Sequence, residues 1–175
     1  MDEPGARGVS LWLAPEGEAG RRLGALIDRL AARLGTPAFP PHVTLLPGVE
    51  LPEDEALEAC RALARSLPPL SVQLEAVEGR REFFRCLVVR AAADPPLLAA
   101  HAAAARACGR PADPDFFPHL SLVYGSLEGS MQRALAAEVG PLVPAIFTAA
   151  TLRVWRTAGR VAQWREIAVL PLAAA

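Results

Sequence analysis

Two stretches decide the fold, PPHVTLLPG at residues 40–48 and FPHLSLVYG at residues 117–125. Each places Pro-His before an apolar residue, a hydroxyl residue and another apolar residue, with a Gly six residues after the His. The chain has three histidines in 175 residues, and two of them occupy these near-copies, 77 residues apart. A duplicated phrase of this kind predicts an internal repeat, and two copies indicate a pseudo-twofold axis.

Each phrase alternates in the manner of a strand. Residues i and i+2 of a strand face the same side, about 6.6 Å apart. His42 therefore shares a face with Thr44, and His119 shares a face with Ser121. The intervening apolar residues face the core. Each strand is thus predicted to present one imidazole and one hydroxyl together.

The surrounding segments repeat as well. The first half reads as a strand, a helix, the rigid connector TPAFPP, the His strand, a second helix and a third strand, at residues 8–14, 15–35, 36–41, 42–46, 51–68 and 70–79. The second half reads as a strand, a helix, the connector RPADPDFFP, the His strand and a helix, at residues 82–91, 94–109, 110–118, 119–125 and 126–140. A hairpin of 145–158 with 161–172 closes the chain. We predict one bilobal domain over 1–175, with repeats at about 8–78 and 82–172.

Composition narrows the class of partner. The 18 basic residues are all Arg, the acidic residues number 19, and the net charge is −1. Proteins that grip long nucleic acids usually carry a basic stripe. The arginines here are scattered, and we expect them, Arg85 and Arg153 included, to be solvated. A small-molecule ligand is therefore favoured over a long nucleic acid.

Location and assembly are predicted from the absence of sequence signals. The N-terminal MDEPGARG is acidic and unlike a secretory signal. The longest apolar stretch, residues 95–109, is interrupted by His101 and is shorter than the ~20 residues of a membrane span. Three cysteines without CxxC spacing favour reduced thiols. We expect a cytoplasmic monomer with no membrane partner.

The paired phrases suggest a reaction. Imidazole both takes and gives a proton near neutral pH. One His can deprotonate water while the other protonates a leaving oxygen, and two hydroxyls can hold phosphate oxygens whose negative charge grows in the transition state. Two imidazoles that transfer protons and two hydroxyls that bind phosphate oxygens suit the hydrolysis of a cyclic phosphodiester. This reaction needs no metal and no cofactor.

The phrases HVTLLPG and HLSLVYG resemble the paired H-x-T/S-x motifs of the 2H phosphoesterase superfamily. The preceding EFFRC segment makes the chain most similar to its plant and yeast cyclic phosphodiesterase branch. The resemblance implies an α+β fold of two antiparallel-sheet lobes related by a pseudo-twofold, with helices outside and a central cleft. It also implies hydrolysis of ADP-ribose 1″,2″-cyclic phosphate, and often of nucleoside 2′,3′-cyclic phosphates.

Carried over by motif, the resemblance makes His42 and His119 the proton-transfer pair. In the family pattern His119 activates water and His42 protonates the leaving oxygen, although the residues alone leave this order open. Thr44 and Ser121 become the phosphate holders.

Three aromatic residues complete the predicted substrate site. Tyr124 matches a family tyrosine beside the phosphate, and Phe84 lies in the matching aromatic pair. Trp12 alternates away from the apolar residues of the first strand and is predicted to face the cleft. Pro47 and Gly48 depart from the family pattern, in which Gly follows sooner. The cysteines do not reproduce the disulfide set of some plant members.

Other functions stay open. An RNA-end 2H enzyme, either a 2′,3′-cyclic phosphodiesterase or a 2′,5′ ligase acting on tRNA halves, is the main alternative. A zinc hydrolase would use His42, His119 and His101, or Asp113 and Asp115, but HxH and HExxH spacings are missing. We expect His101 to be a helix-face histidine without chemistry.

Two further functions remain possible, and the sequence does not identify the whole substrate. A nucleotide-binding module without activity would keep the same cleft. A serine esterase would need a G-x-S-x-G elbow around Ser121, which the sequence does not have. The part of the substrate beyond the cyclic phosphate must be recognised by loops at the cleft, among them residues 111–117.

Overall fold

The computed structural model describes residues 3–173, and its fold is α+β, as predicted. This range contains eight strands: β1 Val9–Leu13, β2 Val43–Val49, β3 Leu70–Gly79, β4 Leu87–Ala91, β5 His119–Val123, β6 Ile146–Ala149, β7 Thr151–Arg156 and β8 Arg165–Pro171. It also contains four α-helices: α1 Gly17–Leu34, α2 Glu53–Ser66, α3 Pro95–Ala107 and α4 Gly129–Val139.

Local sequence explains the helix boundaries. Helix α1 is amphipathic, with a buried stripe of leucine and isoleucine, and it ends at Gly35, whose φ of 66° is left-handed. Helix α3 begins after Asp94, whose carboxylate accepts a hydrogen bond from the Leu97 amide at 2.9 Å. Prolines in the first turn of α3 lack the N–H that would otherwise be unpaired there.

All eight strands form one antiparallel sheet in the order β6-β3-β4-β5-β2-β1-β7-β8. The two His-containing phrases meet at its centre, where Val43 of β2 pairs with Leu120 of β5. The sheet therefore has two halves of four strands, β2-β1-β7-β8 and β5-β4-β3-β6, with the repeated strands side by side. This is the pseudo-twofold arrangement that the duplicated phrases predict.

The spatial halves exchange strands relative to the sequence repeats at 8–78 and 82–172. Strand β3 belongs to the first repeat in sequence but pairs with β4 and β6. Strands β7 and β8 come from the second repeat but extend the sheet beyond β1. Each half of the sheet is thus completed by chain from the other repeat.

The helices cover one face of the sheet. Helices α2 and α3 pack on the half that contains β2, and α1 and α4 pack on the half that contains β5. The apolar core lies between these helices and the sheet and includes Leu11, Leu13, Val43, Leu45 and Leu120. The strand residues that alternate with these core residues point to the opposite face of the sheet, away from the helices, and this face carries the candidate site. None of the helices within residues 3–173 is long and apolar enough to cross a membrane.

The sheet is strongly curled. Only Ala150 separates β6, at one edge of the sheet, from β7, the last strand but one at the opposite side. Consecutive Cα atoms are about 3.8 Å apart, so the two ends of the sheet must approach each other at this point. The face without helices is therefore concave.

Two predicted strand segments differ from the structure. In the segment 82–91, Phe83–Arg85 is a turn of 3₁₀ helix and β4 begins only at Leu87. The segment 145–158 divides at Ala150, so the closing hairpin is β7 with β8 and not the whole of 145–172. Both differences arise from long-range pairing that local alternation does not encode.

Candidate active site

A cavity of about 490 Å³ opens on the concave face. Its lining includes every residue that the sequence singled out for catalysis or substrate binding: His42, His119, Thr44, Ser121, Tyr124, Phe84 and Trp12. Volumes of this size are usual for small-molecule sites. The structure thus brings the two phrases together at one place, and the chemical roles of these residues stay predictions.

Both histidines are held by the same local device. His42 Nδ1 lies 2.7 Å from the carbonyl oxygen of Pro40, and His119 Nδ1 lies 2.8 Å from that of Phe117. In each case the acceptor belongs to the residue before the intervening proline. A carbonyl oxygen only accepts, so Nδ1 carries the hydrogen and Nε2 keeps its lone pair. The Pro-His pair therefore fixes the tautomer as well as the ring position.

Both imidazoles are neutral at pH 7. Burial lowers the pKa of His42 from 6.5 to about 3, against the opposing effect of the Pro40 carbonyl, and a charge on His119 would lower it further. Burial also lowers the pKa of His119 to about 4, with Arg85 and Arg80 adding to the effect. Each Nε2 is therefore unprotonated before a ligand binds, and a nearby negative charge would be needed to raise its affinity for a proton. The mutual repulsion of the charged forms disfavours protonation of both rings together.

Trp12 supports His42 and does not offer a stacking surface to a ligand. Its ring lies 3.5 Å from the His42 ring, with 8° between their planes, and Trp155 stacks on it at 4.6 Å. Its side chain is only 2% exposed. Trp12 lines the cavity as predicted, but only the edge of its ring is available there, because other rings cover both of its faces. Its role here is to fix the imidazole of His42.

The two hydroxyl residues differ in their surroundings. Ser121 is buried and its Oγ donates to the carbonyl oxygen of Phe84 at 2.9 Å. Thr44 is half-buried on the cavity wall, and within residues 3–173 its hydroxyl makes no hydrogen bond. Thr44 is therefore free to donate to a ligand, whereas Ser121 would have to turn its hydrogen away from Phe84.

Tyr124 is buried beside His42. Its hydroxyl lies 3.5 Å from His42 Nε2, a long contact, and its ring stacks on Phe39 at 3.6 Å. Burial raises the pKa of the phenol, which the nearby Ser121 hydroxyl partly offsets. Tyr124 thus stays a neutral donor aimed at the reactive nitrogen of His42.

Phe84 lies at the cavity in the 3₁₀ turn and not in a strand. Its ring is half-buried and meets the Tyr124 ring edge-on at 5.2 Å. The Trp164 ring lies 5.8 Å from that of Phe84 and 5.9 Å from that of Tyr124. The exposed parts of Phe84 and Trp164 form the apolar wall against which a ligand can pack.

Sequence reasoning missed Arg85, which it expected to be solvated. Arg85 is half-buried, lines the cavity and influences His119. Within residues 3–173 its guanidinium makes no salt bridge or hydrogen bond. Strand alternation would have sent Phe84 and Arg85 to opposite faces, but the 3₁₀ turn brings both to the cavity. Arg153, in contrast, pairs with Glu166 away from the site.

Trp164 and a buried pair of hydroxyls were also missed. Ser10 Oγ and Thr157 Oγ1 lie 2.8 Å apart on the cavity wall. Ser10 follows the strand alternation that places Trp12 there and could have been found from it. Thr157 and Trp164 follow β7 or precede β8, and no local pattern marks them.

The third histidine is not part of a metal cluster. His101 is buried, and its Nδ1 lies 2.8 Å from the Leu45 carbonyl oxygen while its Nε2 accepts from the Asp113 amide at 3.0 Å. Both ring nitrogens are therefore engaged with backbone. Within residues 3–173, no three His, Cys, Asp or Glu side chains are grouped so that they could hold a metal ion. His101 lies on helix α3, as the sequence predicts, and the structure adds that its ring is buried with both nitrogens bonded to backbone.

Comparison with known proteins finds a matching family and a similar characterised protein. A family model described as the 2′-5′ RNA ligase superfamily matches residues 21–160. A cyclic phosphodiesterase of Arabidopsis thaliana is 26% identical over 127 residues, which cover 73% of this chain and 70% of that protein.

Two solved structures share the fold. The apo form of LigT from E. coli has a TM-score of 0.60 at 14% identity, covering 97% of this chain and 99% of that one. TT0787 of Thermus thermophilus has a TM-score of 0.60 at 18% identity, covering 95% of this chain and 98% of that one. The curled sheet with its four helices is therefore an arrangement that solved proteins adopt.

Proposed function

Since the chain belongs to the 2′-5′ RNA ligase superfamily, that of the 2H phosphoesterases, we propose that it is a metal-independent cyclic phosphodiesterase. Its substrates under this proposal are ADP-ribose 1″,2″-cyclic phosphate, nucleoside 2′,3′-cyclic phosphates, or both. The Arabidopsis relative named cyclic phosphodiesterase supports the reaction class. The site residues of this chain support the mechanism.

The observation that carries the proposal is the matched pair of imidazoles. Both rings line one cavity, both are anchored through Nδ1, and both keep Nε2 unprotonated and available. A pair of structural histidines would have no reason to share a cavity that contains uncommitted polar groups. The proposed reaction uses one group as general base and one as general acid on the same phosphate, and the two rings supply such a pair.

In the proposed reaction, His119 Nε2 takes a proton from water as the water oxygen attacks phosphorus. The bond from phosphorus to one ring oxygen breaks, and that oxygen receives a proton from His42 Nε2. His119 is the less buried ring, which suits the approach of water, while His42 is 4% exposed behind Tyr124 and Trp12. His42 acquires its proton when the phosphate anion binds, because a nearby negative charge raises the pKa of an imidazole.

Phosphate charge is held by three groups in this proposal. Thr44 offers an unpaired hydroxyl, Ser121 a second hydroxyl, and Arg85 a guanidinium without a protein partner within residues 3–173. Donors aimed at the phosphate oxygens stabilise the charge that develops in the transition state. Arg85 adds a cation that the two motifs alone do not supply.

The RNA-end enzyme remains the second candidate, because the matching family model is described by RNA ligation. It would act on the same cyclic phosphate at the end of an oligonucleotide. The near-neutral charge of −1 favours the small substrate over the long one.

The test is a panel of cyclic phosphates with product identification. It comprises ADP-ribose 1″,2″-cyclic phosphate, nucleoside 2′,3′-cyclic phosphates and an oligonucleotide with a 2′,3′-cyclic end. His42→Ala and His119→Ala are each expected to lower kcat at least about a hundredfold, and Arg106→Ala, on an exposed part of α3, serves as the control. Full activity in both histidine variants, or loss of wild-type activity on dialysis against a chelator, would contradict the mechanism.

A further inference from the structure

A second, smaller cavity adjoins the first. Its volume is about 100 Å³, and it shares the wall formed by Thr44, Pro47 and Arg85 with the catalytic cavity. Its far side is formed by the connector before β5 and includes Arg110, Asp113 and Phe116. Since a water molecule occupies about 30 Å³, this space suits one phosphate group.

Cations dominate this small space. Arg85 stands between the two cavities and has no ion-pair partner within residues 3–173. Arg110 is fixed by hydrogen bonds from Nη1 to the Pro47 carbonyl oxygen at 2.7 Å and, more weakly, to that of Gly48 at 3.3 Å. Its other N–H groups remain for a ligand. Asp113, the one acid among the described residues of this wall, has a carboxylate oxygen that accepts from the Asp115 amide.

The positive charge is local, because the chain as a whole carries −1. Every salt bridge within residues 3–173 involves other arginines, so Arg85 and Arg110 are cations that the fold leaves unpaired there. A planar guanidinium presents paired donors that match phosphate oxygens. Two such groups lining one small cavity point to a phosphate ligand.

Resting on the proposed function, we propose that the second cavity binds a second phosphate group of the substrate. The cyclic phosphate occupies the catalytic cavity, and a phosphate or diphosphate at the other end of the same sugar reaches past Thr44 to Arg110. Arg85, which lines both cavities, lies between the two phosphates and contacts both. The enzyme then selects cyclic phosphates that are phosphorylated elsewhere. The small volume of the cavity suits a terminal phosphate better than a continuing polynucleotide.

The experiment compares adenosine 2′,3′-cyclic phosphate with the same compound carrying a 5′-phosphate. For the wild type, we expect kcat/KM to be at least about tenfold higher with the 5′-phosphate, the scale of one charge-assisted contact of about 1.4 kcal/mol. Arg110→Gln should bring this ratio close to one, and Arg110→Glu should bring it below one. Arg106→Gln, whose side chain lines neither cavity, should keep the wild-type ratio.

Binding to the His119→Ala variant, measured by calorimetry, separates this inference from the proposed function. Tighter binding of the 5′-phosphorylated compound, abolished by adding Arg110→Gln, would support the subsite even if neither compound were hydrolysed by the wild type. Equal affinities, or a preference that survives Arg110→Gln, would overturn it. Stronger preference for a dinucleotide with a cyclic end would overturn it in favour of an RNA end.

Discussion

At the residue scale, the two histidines share an anchor but not an environment. Each Nδ1 donates to the carbonyl before a Pro-His pair. His42 is sealed by Trp12 on one face and approached by Tyr124, whereas His119 stands nearer to solvent and to Arg85. The duplicated phrase therefore anchors the two imidazoles in the same way, and their neighbours give them different exposure and different charge surroundings.

This inequality predicts a particular pH dependence. In the free enzyme both pKa values lie well below 6.5, at about 3 and about 4, so the form with one charged ring is scarce at neutral pH. A bound phosphate anion raises the pKa of the ring that it touches. We expect the alkaline limb of kcat, which reports the complex, to lie at higher pH than that of kcat/KM, which reports the free enzyme. Initial rates from pH 3 to 9 measure both, because the alkaline limb of kcat/KM is expected near pH 4, and coincident limbs would contradict the prediction.

Mutation of Thr44 and mutation of Ser121 should affect the stability of the protein differently. Thr44→Val removes a hydroxyl that has no protein partner within residues 3–173, so we expect activity to fall with little change in stability. Ser121→Ala leaves the partly buried Phe84 carbonyl without this donor, which costs about 1 kcal/mol or more in addition to the loss of activity. Thermal melting beside kcat/KM for each variant measures this. Equal destabilisation by the two variants would show that the Ser121 contact contributes nothing to the fold.

At the scale of elements, His101 joins three pieces of the site. It lies on α3, donates to the Leu45 carbonyl of β2, and accepts from Asp113 in the connector 110–118. Its ring also stacks on Phe116 at 3.9 Å. The next residue, Phe117, provides the carbonyl that orients His119. The connector is thus fixed to the strand that carries Thr44.

We therefore expect His101→Leu to loosen the connector. The change puts an apolar side chain of similar size in place of the imidazole and removes the partner of the Leu45 carbonyl and of the Asp113 amide. The loss should cost about 1–3 kcal/mol at the buried Leu45 contact and less at Asp113, which is exposed. Urea unfolding should show this loss, and hydrogen exchange at the Asp113 amide should accelerate. His101→Gln, which can restore one of the bonds, should recover part of the protection.

The matched control for this change is Arg106→Leu on the exposed face of the same helix. It should leave both the stability and the exchange at Asp113 near wild type. If His101→Leu behaved like this control, the connector would be held by its prolines alone.

Sequence patterns predicted the elements better than their partners. The two His strands, their shared faces and the four helices follow from alternation, from helical spacing and from the duplicated phrases. The placement of β3, β7 and β8 does not, because pairing in a sheet depends on distant chain. The position of Arg85 at the cavity was not predicted for the same reason. The sequence predicted a strand where the structure has a 3₁₀ turn, and this turn directs Arg85 towards the cavity. Trp12 lines the cavity, as the alternation of the first strand predicts, but the stacking of Trp155 on its second face could not be predicted from the sequence.

At the scale of the whole molecule, the strand exchange joins the two halves into one cooperative unit. Strand β3 completes the half around His119, and β7 with β8 complete the half around His42. The central contact between β2 and β5 is short, with the single pairing of Val43 and Leu120. The halves are therefore held together by chain crossing from one to the other, and both histidines lie at the junction.

Because two histidines are buried at this junction, the stability of the folded molecule should decrease at acidic pH. Their folded pKa values, about 3 and about 4, lie below the 6.5 of the unfolded chain, so the unfolded state binds more protons between these values. The free energy of unfolding should therefore be largest above about pH 6.5 and fall as the pH drops towards 4. At pH 5 the pair should cost on the order of 3–4 kcal/mol, at about 1.4 kcal/mol for each pKa unit.

Urea unfolding at pH 7 and pH 5 measures this cost, with a His42→Gln, His119→Gln double variant as the comparison. The variant has no titrating ring at the junction, so it should lose several kcal/mol less than the wild type over this interval, even if it starts from a lower stability at pH 7. His101 is unchanged in both proteins and cancels from the comparison. An equal loss in the two proteins would place the acid sensitivity elsewhere in the molecule. It would also mean that the imidazoles are better solvated than their burial indicates, which would remove the reason for expecting both to be neutral bases before substrate binds.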